Sequence, residues 1–270
     1  MKEDEIQVLG VRKKKRGRFF IVYCLLAFAM LAIVGWFVFL DKTETGDQLE
    51  KVKDDTEVSS QAQESCIYYD YYDEGLNDVV LNIYHPCNME AVLTMDSNEL
   101  ADTLEGKPLL ATSAMDIRED NGLPIGEFVM GDQELTSGKR RLGYCAIVNG
   151  QVSIGMSEDD EVKNYCKSQG GAYFRQYPLV IKGEVYPNEN VKGKAKRRAL
   201  AKEEGFVYII TSENPESLYD FSMAISDLGV SDAIYLPGGD AFFAAYCKDY
   251  SINETKPSEG EVFLLFKQKQ

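Results

Sequence analysis

One histidine in 270 residues removes most of the chemistry that imidazole supports. A zinc centre or a Ser-His-Asp triad would have to be built around His85 alone, and His85 precedes Pro86, where a loop residue is expected. Positive charge is scarce as well. From residue 41 onward the chain holds 22 Lys/Arg against 41 Asp/Glu, so a phosphate backbone would be repelled and nucleic acid is excluded as a partner. A single phosphate group survives that argument. No cysteine pair has zinc-ribbon spacing, and the acidic run Glu158-Asp159-Asp160-Glu161 lacks the alternating ligands and central glycine of a calcium loop. That run reads as a solvated turn, and neither metal nor cofactor is expected. A hydrophobic content of 44% is too high for a disordered chain and supports one or two domains with a core.

Charge is absent altogether from Phe19 to Leu40 (FFIVYCLLAFAMLAIVGWFVFL), a run of 22 residues. At about 1.5 Å per residue such a helix spans a hydrocarbon core of about 30 Å. The basic block Arg12–Arg18 precedes it, so a single-pass helix is expected with the N-terminus cytoplasmic and the remainder extracytoplasmic, in the periplasm, a lumen or the exterior. A cleaved signal peptide is disfavoured because the run is long and ends in Trp36, Phe37, Phe39 and Leu40 rather than in small residues. The organisation is then a basic tail (1–18), a transmembrane helix (19–40), a polar tether (41–65) and an ectodomain (66–270). Beyond the membrane disulfides are permitted. Cys66 with Cys87 and Cys145 with Cys166, leaving Cys247 free, is the pairing expected, although spacing alone does not determine connectivity.

Within the ectodomain, Asn149-Gly150 between two β-branched runs is a hairpin signal, because both residues tolerate the positive φ of a two-residue turn. Lys182-Gly183 marks a second turn, Asp120-Asn121-Gly122 a third, and Tyr68 to Tyr84 reads as a strand pair turning near Glu74-Gly75. Five tyrosines in that stretch are strand residues with one wet edge or a carbohydrate-stacking surface. Phe206–Ile210 reads as a buried strand. Asn214 is expected to cap a helix with Pro215 in its first turn, Leu218, Phe221, Ile225 and Leu228 on one face, and Gly229 closing it. Ala233–Leu236 is the next strand. The expected fold is therefore α/β in the mixed α+β sense: a central mixed sheet with hairpins and a C-terminal βαβ unit whose two strands are parallel with a right-handed crossover.

Ligands of such sheets gather at the carboxyl ends of parallel strands, which nominates Thr211–Asn214 and Pro237-Gly238-Gly239-Asp240. Gly238 and Gly239 allow close backbone approach, with Asp240 beside them; the same four residues also make an ordinary turn.

The order of the segments ATSAMDIREDNGLPIGEFV, YCAIVNGQVSIG, YFRQYPLVIKGE and KRRALAKEEGFVYIITSENPESLYDFSMAISDLGVSDAIYLPGGDAFFAAY resembles the phosphodiester glycosidase domain family, over roughly Ala111 to Tyr246. The resemblance implies a hydrolase acting on, or a protein binding, a sugar-phosphate or glycan. It matches the family's arginine to Arg197, with Arg175, Arg198 and Lys196 as reinforcing cations for a phosphate. It also carries departures. Thr112-Ser113-Ala114-Met115-Asp116 replaces an Asn-Ala-Gly-Met-Phe type segment, Ala201 replaces a glycine, and Pro237 occupies the acidic position before Gly238-Gly239. Proline transfers no proton, so any retained chemistry must have moved its acid, and Asp116, Glu127 and Asp240 are the candidates. The other reading is a non-enzymatic binding or assembly protein on the same scaffold.

Overall fold

The computed structural model describes residues 65–73, 77–103, 109–138, 141–188, 193–247, 250–253, 256–258 and 260–269. The expected basic tail, transmembrane helix and nearly all of the tether lie outside them. No helix among the described residues is long and apolar enough to cross a membrane.

Among the described residues three sheets form, and every neighbouring strand pair in them is antiparallel, where a mixed sheet was expected. The first has seven strands in the order β1 (Cys66–Tyr72), β2 (Leu81–Cys87), β13 (Phe206–Ser212), β12 (Arg198–Glu203), β14 (Asp232–Leu236), β10 (Pro178–Ile181) and β11 (Glu184–Val185). The second has the order β16 (Tyr250–Asn253), β15 (Phe243–Cys247), β4 (Leu109–Ser113), β17 (Phe263–Gln268) and β3 (Met89–Thr94). The third runs β6 (Gln133–Thr136), β5 (Phe128–Met130), β9 (Ala172–Gln176), β7 (Gly143–Val148) and β8 (Gln151–Met156). Three helices accompany them: α1 (Ser97–Thr103), α2 (Glu161–Ser168) and α3 (Leu218–Asp227).

Each sheet turns one face to a shared core. Leu200, Ile209 and Ile234 from the first sheet meet Leu110, Phe243 and Leu264 from the second and Phe128, Cys145 and Phe174 from the third. The opposite face of the first sheet is covered by α3, through Phe221, Ala224 and Ile225 against Ile210, Ala199 and Ala233. Along β12, Leu200 therefore points to the shared core while Ala199 and Ala201 point to the helix. Burial on both faces is why these strands read as nearly continuous apolar runs.

The local turn signals hold. Asn149 (φ 50) and Gly150 (φ 73) join β7 to β8 with Val148 opposite Gln151, and Lys182 (φ 52) and Gly183 (φ 77) join β10 to β11. The pair of strands predicted from Tyr68 to Tyr84 is β1 with β2; its turn, at residues 74–76, lies outside the described residues.

The predicted βαβ unit is split by a further strand. β13 and β14 flank α3 and run parallel, as expected, but β12 lies between them and pairs antiparallel with both. The strand was missed because RALAKE carries charge at both ends, and the Glu204-Gly205 turn after it (φ 48 and 92) makes a third hairpin. Helix α3 also begins later than predicted. Glu216 is still extended and exchanges backbone hydrogen bonds with Ala195 (2.8 and 3.1 Å), so the cap falls to Ser217, whose hydroxyl accepts from the Asp220 N–H at 3.0 Å. Gly229 (φ 93) ends the helix in the left-handed conformation that was expected.

The expected disulfides are not formed. Cys66, Cys87, Cys145 and Cys166 are all free. Cys66 and Cys87 do stand opposite each other across β1 and β2. Cys145 points into the shared core, whereas Cys166, on α2, packs against the other face of the third sheet, so the sheet separates them.

Candidate functional site

Arg198 sits at the start of β12, 2% exposed, with its guanidinium between the first and second sheets. Its Nη1 donates to Thr112 Oγ1 (3.1 Å), Pro237 O (2.8 Å) and Phe242 O (3.0 Å), and the group lies 4.7 Å from the Phe243 ring centroid. These contacts tie the Pro237–Asp240 loop to β4 and β15. Arg198 is therefore a clamp that shapes the site rather than a cation presented to a ligand.

The clamp brings the loop after β4 beside the loop after β14. A cavity of about 320 Å³ opens there, lined by Met115, Asp116, Ile117, Pro237, Ala241, Ser258 and Glu261. Two carboxyl groups face it. Asp116 accepts from Arg141 Nη2 at 3.0 Å, and its side chain is 36% exposed. Glu261, 8% exposed, accepts from the Ser113 hydroxyl through Oε1 and from the Ser258 N–H (3.0 Å) through Oε2.

Arg141 links this cavity to the third sheet. Its Nη1 donates to Gln176 Oε1 at 2.6 Å, Gln176 Nε2 donates to Ala114 O at 3.1 Å, and the guanidinium lies over the Tyr177 ring at 4.8 Å. Beyond Tyr177 stands Tyr235, with 6.5 Å between the ring centroids. Burial, helped by the nearby Asp116 charge, pushes the Tyr235 phenol up from its ordinary value, and the Gly238 backbone and the Arg197 charge oppose the rise.

The remaining predicted residues have other surroundings. Arg197 is buried, with Nε on Glu216 O (2.9 Å) and Nη2 on Gly193 O (2.8 Å). A Cβ on Gly238 would overlap the Lys196 carbonyl, so glycine is required there for backbone packing; Gly239 is required for its φ of 62°. Asp240 is exposed on the same loop. Glu127 and Arg175 lie away from the cavity, in the third sheet. Each is 1% exposed, and they pair at 2.7 Å; Glu127 also accepts from Lys163 at 2.8 Å, and Arg175 donates to the carbonyls of Ser157 and Asp159. Asp116 therefore lines the cavity, Gly238, Gly239 and Asp240 lie on the loop between its lining residues Pro237 and Ala241, and Glu127 with Arg175 forms a separate ion pair.

Glu261, Arg141 and Tyr235 were not nominated from the sequence. Glu261 lies beyond the segments that carry the resemblance, and its hydroxyl partner Ser113 is 148 positions away. Arg141 carries no motif, so nothing local distinguishes it from neighbouring basic residues. Larger cavities exist elsewhere, one of about 700 Å³ beside β7 and β8 among them, but among those described only the smaller one is lined by Asp116, which Arg141 holds, and by Glu261.

This arrangement, three antiparallel sheets about one core with a loop-lined carboxyl cavity, defines a class of sheet-rich α+β domain. The chain is similar to the zebrafish N-acetylglucosamine-1-phosphodiester alpha-N-acetylglucosaminidase catalytic domain, a structure described as auto-inhibited by its pro-peptide, with a TM-score of 0.54 and 15% identity over 78% of this chain and 85% of that one. It shares that domain's fold. A hypothetical protein from Synechocystis aligns at a TM-score of 0.45 and 10% identity over 75% of this chain and 62% of that one. No family model and no curated protein matches the sequence.

Proposed function

We propose that this chain is a phosphodiester glycosidase-like protein that takes a sugar-phosphate in the cavity between the β4 and β14 loops and hydrolyses it, using carboxyl groups at new positions. The observation that carries this reading is that Asp116 and Glu261 line one cavity with Arg141 against Asp116. In such a reaction water adds to the anomeric carbon, the bond from that carbon to the phosphate oxygen breaks, and the products are a free sugar and a phosphate monoester. One carboxylate takes the proton from water; a cation offsets the charge gathering on the departing phosphate. Asp116 and Glu261 are the groups for the first task, and Arg141 for the second. The departures at Pro237 and Asp116 fit a relocated acid, with Glu261 entering from the C-terminal segment.

The second reading, a binding protein without turnover, is favoured by a specific observation. Both carboxyl groups are already engaged, Asp116 by Arg141 and Glu261 by Ser113 and the Ser258 N–H. The apolar run Phe19–Leu40 supports placing the domain on the extracytoplasmic side of a membrane, where the substrate would be an envelope, lumenal or surface glycan.

Incubating the full chain in detergent with a panel of sugar-1-phosphodiesters, N-acetylglucosamine diesters included, tests the proposal. Sugar release that falls by about 10²-fold or more in Glu261→Gln and Asp116→Asn supports hydrolysis. Absence of release from folded protein, together with saturable retention of the same diesters that Arg141→Gln abolishes, establishes the binding reading instead. Neither release nor retention rejects both.

A further inference from the structure

A second cavity, of about 260 Å³, opens on the α3 side of the first sheet, past the C-terminal end of that helix. Alternation along the strands places Tyr68 and Asp70 of β1, His85 of β2 and Tyr208 of β13 on this face, and Glu203 ends β12 beside them. The rings form a row. His85 lies 6.3 Å from Tyr68, 4.9 Å from Tyr208 and 5.3 Å from Phe206, centroid to centroid. Ile83, Ile210 and Leu228 make an apolar floor.

The polar groups of this cavity all favour one sign of charge. No lysine or arginine is among its described lining residues, and neither Asp70 nor Glu203 forms an ion pair with another described residue. His85 supplies no compensating charge near neutral pH, because burial lowers its pKa below the ordinary 6.5. Aromatic faces carry the negative lobe of the ring quadrupole, so the walls and the two carboxylates attract the same species. An anion is repelled. A neutral polyol would leave the carboxylates without a counter-charge. The volume lies just below the ~300–1,000 Å³ typical of sites for drug-sized ligands, which suits a small head group.

We infer that this cavity is a binding site for an organic ammonium group, with its alkyl carbons against Tyr68, His85 and Tyr208 and its charge toward Asp70 and Glu203. The site is independent of the carboxyl cavity between the β4 and β14 loops, shares no described lining residue with it, and does not rest on the hydrolytic reading.

Saturation-transfer NMR from the full chain in a non-ionic, choline-free detergent tests this, with choline, glucosamine and 3,3-dimethylbutan-1-ol as probes. The last has the shape of choline without the charge. Saturable binding of choline or of glucosamine, at least about tenfold tighter than the neutral alcohol, supports the site, and the preferred amine tells a quaternary from a primary head. Glu203→Gln should weaken that binding severalfold, Tyr208→Phe should retain it, and Tyr208→Leu should abolish it. Equal binding of the alcohol and the amines, indifference to Glu203→Gln in a chain with unchanged unfolding behaviour, or no binding of either amine at about 100 mM, some hundredfold above the millimolar range, overturns the inference.

Discussion

Two of the arginine–carboxylate pairs among the described residues have opposite surroundings. Where α2 packs on the third sheet, Arg175, Glu127 and Lys163 are sealed: Arg175 and Glu127 are each 1% exposed, and the guanidinium is further saturated by the Ser157 and Asp159 carbonyls. Between the loops after β4 and β14, Arg141 and Asp116 form a similar pair, but Asp116 remains 36% exposed and faces a cavity. The same residue types thus hold structure together in one region and are available to a ligand in the other. Solvent access and the saturation of hydrogen-bonding sites make the difference, not residue identity.

The comparison can be broken first at the sealed pair. Arg175→Met leaves Glu127 buried with half its partners and should cost about 3–5 kcal/mol in denaturant unfolding. A loss near zero would mean that Glu127 takes up a proton or reaches water. Next comes the clamp. Arg198→Lys keeps the charge but not a planar group that can hold Thr112, Pro237 and Phe242 together while lying over Phe243, and should cost about 1.5–3 kcal/mol. It should also weaken sugar release or retention, because the Pro237 loop lines the cavity. Asp116→Asn should cost no more than about 1 kcal/mol, since its ion pair is partly solvated, while removing sugar release. If this variant unfolded the chain as Arg175→Met does, the contrast between the two regions would fail.

The smallest effect is expected at His85. Burial lowers its folded pKa below the ordinary 6.5, so the neutral ring stabilises the fold above that value, and the contribution fades as pH falls through 6.5 toward the lowered value. The thiol and phenols around it, Cys87, Tyr68 and Tyr208, stay protonated over that window because their shifts are upward. His85→Phe should therefore flatten the acid side of a thermal-stability profile. An unchanged profile would place the acid sensitivity in the carboxylates.

The parts of the fold legible in the sequence are those decided within a few residues. Asn149-Gly150 and Lys182-Gly183 adopt positive φ in two-residue turns that they tolerate at little cost, so their hairpins could be read locally. The face of α3 could be read from Leu218, Phe221 and Ile225 because helical spacing is itself a local property. Misreadings occurred where distant backbone intervened. Ala195 holds Glu216 extended and moves the helix start from Asn214 to Ser217, and β12 inserts itself between two strands that the chain order alone would make neighbours. Of the cavity's lining, Asp116 was nominated from the sequence through the resemblance, which matched a segment order rather than individual side chains. Glu127 and Arg175 pair with each other away from that cavity, a placement no local pattern records.

The sequence by itself determined the scarcity of histidine, the acidity after residue 41, the apolar run from Phe19 to Leu40, the hairpin turns and the amphipathic face of α3. Each of these depends on composition or on neighbours along the chain. Only the tertiary structure decided that Glu261 meets Ser113 across 148 positions, that Arg141 rather than Arg197 pairs with Asp116, and that Tyr68, His85 and Tyr208 from three strands line one cavity. The physical reason is that strand order and register, set by burying one shared core, choose which distant side chains become neighbours. No local pattern records that choice.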